Sequence, residues 1–218
     1  MKLLFAIGVA SVLAAAPAPA LAQSDKQPQL DRAYLRYAAT ARTMRKLTDC
    51  VVRRNPEGAR SLFGLPAGSA KQGQAMAELF KGAGNCLTGT GTYQLNTSMF
   101  MALGSIAENL IGADAVEAAA PASPPIPAGG GSYDWTILRL TPSSEPKLYP
   151  VAQCLLVMHP EWTRALLATK PVSKGEREFY LASGSTLRDC IPAGTQMTLH
   201  PMYLRSALAT MTYSAARN

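Results

Sequence analysis

Apolar positions in this chain recur mostly at three- and four-residue spacing, the pattern of helices that bury one face. The first such stretch runs from Asp31 to Arg54, with Met44, Leu47, Cys50 and Val51 on its inner face and Asp31 placed to cap its start. Asn55-Pro56-Glu57 then marks a new helix start, since proline suits the first helical position and glutamate complements the helix dipole. A third helix is predicted after Ser69-Ala70-Lys71-Gln72, a capping-box pattern, with Met76, Leu79 and Phe80 facing inward and an end near Gly82. A fourth is predicted over Thr97–Ile111, opened by Asn96, with Met99, Phe100, Leu103, Ile106 and Leu110 on its apolar face.

The same signals return 104 positions later. That offset places Cys50 on Cys154, Pro56 on Pro160, Glu57 on Glu161, Arg60 on Arg164, Leu62 on Leu166, Ser69 on Ser173, Cys86 on Cys190 and Leu95 on Leu199, without a gap. His159-Pro160-Glu161 repeats the helix start, Ser173 with Glu176 repeats the capping box, and Pro201–Tyr213 after His200 repeats the last helix. Constant offset of rare cysteines and a proline is the signature of an internal duplication. Of the three ways to pair four cysteines, only Cys50–Cys86 and Cys154–Cys190 make the two copies equivalent. Each bridge is expected to tie the end of the third helix to the middle of the first. Glu57 with Arg60, and Glu161 with Arg164, can pair on one helix face, or the arginines can tie their short helix to the rest of the unit.

Between the copies, residues 118–131 are rich in Ala, Pro and Gly, the composition of a linker. Tyr133, Trp135 and Ile137 then alternate, which predicts one short strand or an aromatic arm laid over the helices. The expected fold class is therefore mainly α: two tandem four-helix units, each with one internal disulfide, at 23–117 and 148–218, joined by 118–147.

Residues 1–22 have the build of a secretory signal peptide: Lys2, an apolar run from Leu3 to Ala16, and Ala20-Leu21-Ala22 as a cleavage site. No later run approaches a membrane span. Export to the periplasm or beyond also suits cysteines used as bridges. The formal charge of +7 becomes +6 once Lys2 is removed, a balance that favours anionic partners. Arg42, Arg45, Lys46 and Arg53 concentrate that charge on one face of the first helix, interrupted by Asp49. The positions aligned with this stripe in the second copy are Pro146, Tyr149, Pro150 and Val157, so the stripe belongs to the first copy alone.

Candidate chemistry is sparse. His159 and His200 stand at helix starts, where capping accounts for both without a metal. No C-x-x-C occurs, and neither a metal nor a cofactor is expected. Ser144-Glu145-Pro146-Lys147 matches S-x-x-K, but its proline breaks the helical turn that would bring lysine to serine, and the companion motifs are absent. Gly89-Thr90-Gly91-Thr92 lacks the lysine and spacing of a phosphate loop. No nucleic-acid-binding module is present. Glu57, Glu161 and His159 are the residues an envelope hydrolase working between the units would use.

A signal peptide ahead of paired-cysteine helical units resembles uncharacterised exported proteins of Gram-negative bacteria, a resemblance that covers the mature chain and implies no particular activity. The general style also resembles small disulfide-linked helical periplasmic immunity proteins, which inhibit cell-wall-degrading toxins; no shared motif carries residues over. The reading that follows is an exported, non-enzymatic binding protein of the cell envelope, whose partner is an envelope protein or an anionic envelope component.

Overall fold

A computed structural model describes residues 26–87, 98–114, 129–135 and 148–217. The leader, the two glycine- and serine-containing motifs above, Asn96, Ile137 and most of the 118–147 segment lie outside the described residues. What is described is mainly helical, as the spacing predicts.

Helix α1 runs Lys26–Arg54, five residues longer at its start than expected. Asp31 therefore caps nothing; it lies inside the helix and pairs with Arg177 at 3.0 Å. Helix α2 (Pro56–Ser61) is capped by Asn55, whose side chain accepts from the Gly58 N–H at 2.9 Å. Helix α3 (Ala70–Phe80) is capped by Ser69 and stops before Gly82, which adopts φ 76°. A 3-10 turn, Ala83–Cys86, carries the second cysteine. Helix α4 is Met99–Ala113, starting two residues later than expected, with Ser98 as the cap that accepts from the Met101 N–H.

After strand β1 (Ser132–Trp135) come α5 (Leu148–Met158), α6 (Pro160–Ala168) and α7 (Lys174–Ala182). Gly184 opens a further short helix, α8 (Gly184–Asp189), which leads directly to Cys190. Strand β2 (Gln196–Leu199) and helix α9 (Pro201–Ala215) complete the chain. β1 pairs with β2 in parallel, Ser132 opposite Gln196 and Trp135 opposite Leu199. The alternation of Tyr133 and Trp135 thus marks a strand whose inward residues join the protein's own core.

Both bridges form as expected, Cys50–Cys86 and Cys154–Cys190. Cys50 lies near the end of α1, later than expected, whereas Cys154 lies near the middle of α5, as expected. Cys154 and Cys190 are buried, whereas Cys50 and Cys86 are partly open to solvent.

The apolar faces gather into two clusters, and each draws on both sides of the 118–147 segment. Leu30, Tyr34, Phe100 and Met101 pack with α5, α7 and α9, while Ala209 and Tyr213 of α9 pack with α1, α3 and α4. Helices α4 and α9 cross closely: a Cβ on Gly104 would overlap Ser206 Cα and Cβ. Only a glycine lets the two backbones approach this far. That crossing brings the carboxylate of Glu108 on α4 within reach of Arg205 on α9.

Candidate functional site

The face of α1 that carries the basic stripe looks onto the loop between α6 and α7. That loop is held by a buried charge cluster. Arg205 is 3% exposed, and all five of its donors have acceptors. Nε reaches Glu108 Oε1 at 2.8 Å. Nη1 reaches the Leu166 carbonyl at 2.8 Å, Thr169 Oγ1 at 3.0 Å and Glu176 Oε1 at 3.0 Å. Nη2 reaches Glu108 Oε2 and the carbonyls of Leu167 and Thr169. A guanidinium taken out of water is tolerable only with this degree of pairing. Burial opposes its charge, but Glu108 and Glu176 outweigh that and raise its pKa further.

Glu176 closes the other end of the loop. Its backbone N–H donates to Ser173 Oγ at 3.1 Å, as the capping box predicts. Its carboxylate does not return to the cap residue itself. Oε2 accepts from the N–H of Val172, one residue earlier, at 2.6 Å. Gln72 does the same with Gly68 in the first half, at 2.9 Å. Both Gly68 and Val172 are left-handed, φ 71° and 57°. For a β-branched residue that conformation is strained, and such strain persists only where surroundings enforce it. Burial pushes the Glu176 carboxyl above the usual range despite Arg205.

Held in this way, Lys170, Pro171 and Val172 form one wall of a groove whose other wall is α1. One section, about 360 Å³, is lined by Arg42, Arg45, Lys46, Asn109, Lys170 and Val172, among others. The next section, about 340 Å³, is lined by Tyr34, Leu35, Ala38, Arg42, Val172 and Lys174, among others. Arg42 and Val172 line both. A third cavity, about 40 Å³, sits behind Val172 against Glu108, Glu176 and Arg205, with room for little more than water.

The stripe divides on close view. Arg45 is pinned to Glu108 Oε2 at 2.9 Å, and Arg53, itself outside the groove lining, to Asp49, which lines it, at 2.8 Å. Among the described residues, Arg42, Lys46 and Lys170 take part in no ion pair, and all three are exposed. The structure therefore brings together Arg42, Arg45 and Lys46 and adds Lys170 from the second half. Spacing along α1 could not reveal Lys170, because it is opposite α1 only through the loop.

The other named residues lie elsewhere. Glu57 and Glu161 are exposed and pair with Arg60 and Arg164, each at 2.6 Å. Arg60 also grips Asp114 at the end of α4 with two bonds, 2.6 and 3.1 Å, whereas Arg164, among the described residues, pairs only within its own helix. His159 occupies the cap position of α6 but its side chain does not cap; Nε2 lies 3.2 Å from Asp189 Oδ2. His200 does not cap either. It is fully buried between the rings of Tyr37 and Tyr203, and burial lowers its pKa to about 4.

Arg205 and Glu108 were not singled out by sequence pattern. The available signal was an arginine inside the apolar run Met202-Tyr203-Leu204 to Leu208, where a charge needs a buried partner. Among the described residues, no group of His, Cys, Asp or Glu is placed to hold a metal, and no helix is long and apolar enough to cross a membrane. No family model, curated protein or solved structure matches the chain.

Proposed function

We propose that this is an exported, non-enzymatic binding protein of the bacterial cell envelope, and that the groove between α1 and the Lys170–Ser173 loop takes an anionic envelope component. The observation that carries this reading is the meeting of Arg42, Lys46 and Lys170, from two distant parts of the chain, with no acid paired to any of them among the described residues. Unpaired cations facing one concave surface raise the local concentration of anions and speed their capture. Two disulfides suit an oxidising compartment.

The scaffold reading belongs with this. Two copies of a four-helix module, joined by the 118–147 linker, would explain why Asn55 and His159, Ser69 and Ser173, Gln72 and Glu176, and both cysteine pairs occupy corresponding places. The first copy keeps the cationic helix; the second supplies the loop.

A hydrolase acting between the copies would need carboxylate oxygens free to move protons. The carboxylates that face each other there are Glu108 and Glu176, and their oxygens are occupied by Arg205, Arg45 and the Val172 N–H. That favours binding over catalysis.

The test uses the oxidised chain and inorganic polyphosphate, with affinity read by calorimetry at several salt concentrations. Arg42→Glu, Lys46→Glu and Lys170→Glu together should weaken binding at least tenfold and flatten the salt dependence. Lys71→Glu, Lys81→Glu and Arg164→Glu, with the same change of net charge at exposed positions outside the groove, should have little effect. Equal losses in the two triple variants would reduce the attraction to bulk charge and sink the proposal.

A further inference from the structure

The two groove sections meet at Arg42, and cations line both. We infer that the groove takes a linear phosphate polyanion, a chain laid along α1 with its charges in series, and not a compact anion seated at one point. This rests on the reading of the groove as an anion site and extends that site into the second section.

One section sets Arg42, Arg45, Lys46 and Lys170 against Asp49. The other sets Arg42, Lys174 and Arg177 against Asp31. These cations stand in two rows. Arg42, Arg45 and Lys46 are on α1, and Lys170, Lys174 and Arg177 are on the facing loop and α7. Tyr34 and Lys46, which line different sections, are twelve residues apart on α1, about 18 Å along its axis at 1.5 Å per residue. Only an extended ligand reaches both rows over that length.

The exposure of the cations points the same way. A compact anion is held tightly where charged donors converge on it out of water. Arg42, Lys46, Lys170 and Lys174 are instead exposed and spread along the groove. Exposed charges contribute little one by one. Affinity then comes from several contacts made by one chain, each releasing counter-ions from the polymer. Arg42 and Lys46 are about 6 Å apart along the axis of α1, with Lys170 across the groove from them. Charges this close match a chain that carries one on every unit, as polyphosphate does. The acids in the groove are engaged, Asp49 by Arg53 and Asp31 by Arg177. Lys174 leans on Glu178 at 3.5 Å with the side chains 77% and 58% exposed, a surface pair that an incoming phosphate displaces at little cost.

The oxidised chain is titrated with tripolyphosphate, long-chain polyphosphate and polyglutamate of matched length, with affinities expressed per binding register. Long-chain polyphosphate should bind at least tenfold tighter than either of the others. Its affinity should fall with salt at a log–log slope of about 3, for four contacts at roughly 0.7 each as on a single nucleic-acid strand. Lys174→Gln, at an exposed position, should weaken the long chain at least threefold, lower that slope and leave tripolyphosphate nearly unchanged. Asp31→Asn, which frees Arg177, should tighten the long chain and again leave tripolyphosphate alone. Tripolyphosphate binding as tightly as the long chain, or a long chain indifferent to both substitutions, overturns the extended track. Equal binding of polyglutamate overturns the phosphate chemistry. In each of these cases the anion site itself is decided separately, by whether the triple variant of Arg42, Lys46 and Lys170 loses tripolyphosphate.

Discussion

Arg205 Nη1 and Glu176 Oε1 lie 3.0 Å apart, with the two side chains 3% and 1% exposed. The same guanidinium nitrogen donates to the Leu166 carbonyl. In the first half the corresponding carbonyl, Leu62, is served by the Gln72 amide at 3.1 Å. A glutamine both accepts from the loop and donates to that carbonyl. A glutamate can only accept, so a donor must come from elsewhere, and Arg205 supplies it.

Removing Arg205 should therefore be severe. Arg205→Met leaves two carboxylates and three backbone carbonyls without their buried donor, a loss of about 3–5 kcal/mol in urea unfolding. Glu176→Gln should cost less, since Glu108 remains to pair the guanidinium. The double variant should recover part of the loss, because the amide introduced by Glu176→Gln could then serve Leu166 as Gln72 serves Leu62. A strictly additive double variant would show that the donor requirement is misassigned.

Gly104→Ala should destabilise by about 3 kcal/mol or more, since overpacking at a helix crossing cannot relax by rotating a flexible chain. Ser206→Gly should not rescue it, because the added methyl also overlaps Ser206 Cα. Chemical denaturation of the single and double variants distinguishes the two cases.

The bridges should differ in their response to reductant. Cys154 and Cys190 are 1% and 0% exposed, while Cys50 and Cys86 are partly open. A thiolate must reach a sulfur to exchange with it. Timed alkylation and mass spectrometry under dithiothreitol should find Cys50 and Cys86 modified first. Replacing either pair by alanine should cost about 4 kcal/mol on the chain-entropy estimate.

His200 gives stability a pH dependence. Its pKa falls from 6.5 to about 4 on folding because burial disfavours the imidazolium. The unfolded chain then binds more protons between those values, so stability is full above pH 6.5 and declines toward pH 4. The total is roughly 3 kcal/mol at about 1.4 kcal/mol per pKa unit. Glu176 acts in the opposite sense, since its raised pKa favours folding as pH falls through its own range. The His200 contribution is thus read as a difference: the decline should be shallower in His200→Phe than in the native chain. Parallel profiles would place the titration elsewhere.

Arg60→Ala should lower the melting temperature more than Arg164→Ala. The two occupy equivalent helix positions and make the same local pair, but only Arg60 reaches Asp114. That contact holds the Asp114 carboxyl below its ordinary range. The excess should therefore vanish as acid protonates Asp114, which melting curves from about pH 7 down to about pH 2 would display.

Helix spacing, the caps at Asn55, Ser69 and Ser173, the local Glu–Arg pairs and both disulfides were legible in the residues, because each depends on neighbours within a few positions or on a repeated offset. The start of α1, the helix α8 and the partner of β1 were not. Asp31 looks like a cap until Arg177, far along the chain, turns out to lie beside it. His159 and His200 look like caps until Asp189 and two tyrosine rings claim them.

The chain's own order of residues thus decided that it is helical, bridged at 36-residue intervals and basic along one helix. Those properties follow from local periodicity and from pairs at constant spacing. Tertiary structure alone decided that Arg205 would be buried, that Val172 would be left-handed and that Lys170 would join Arg42 and Lys46. Arg205 is buried because the crossing of α4 and α9 at Gly104 moves Glu108 next to it, Val172 is left-handed where the Glu176 carboxylate takes its N–H, and Lys170 meets α1 only through the loop that Arg205 and Glu176 hold. No residue within a helical turn of Lys170 carries that information.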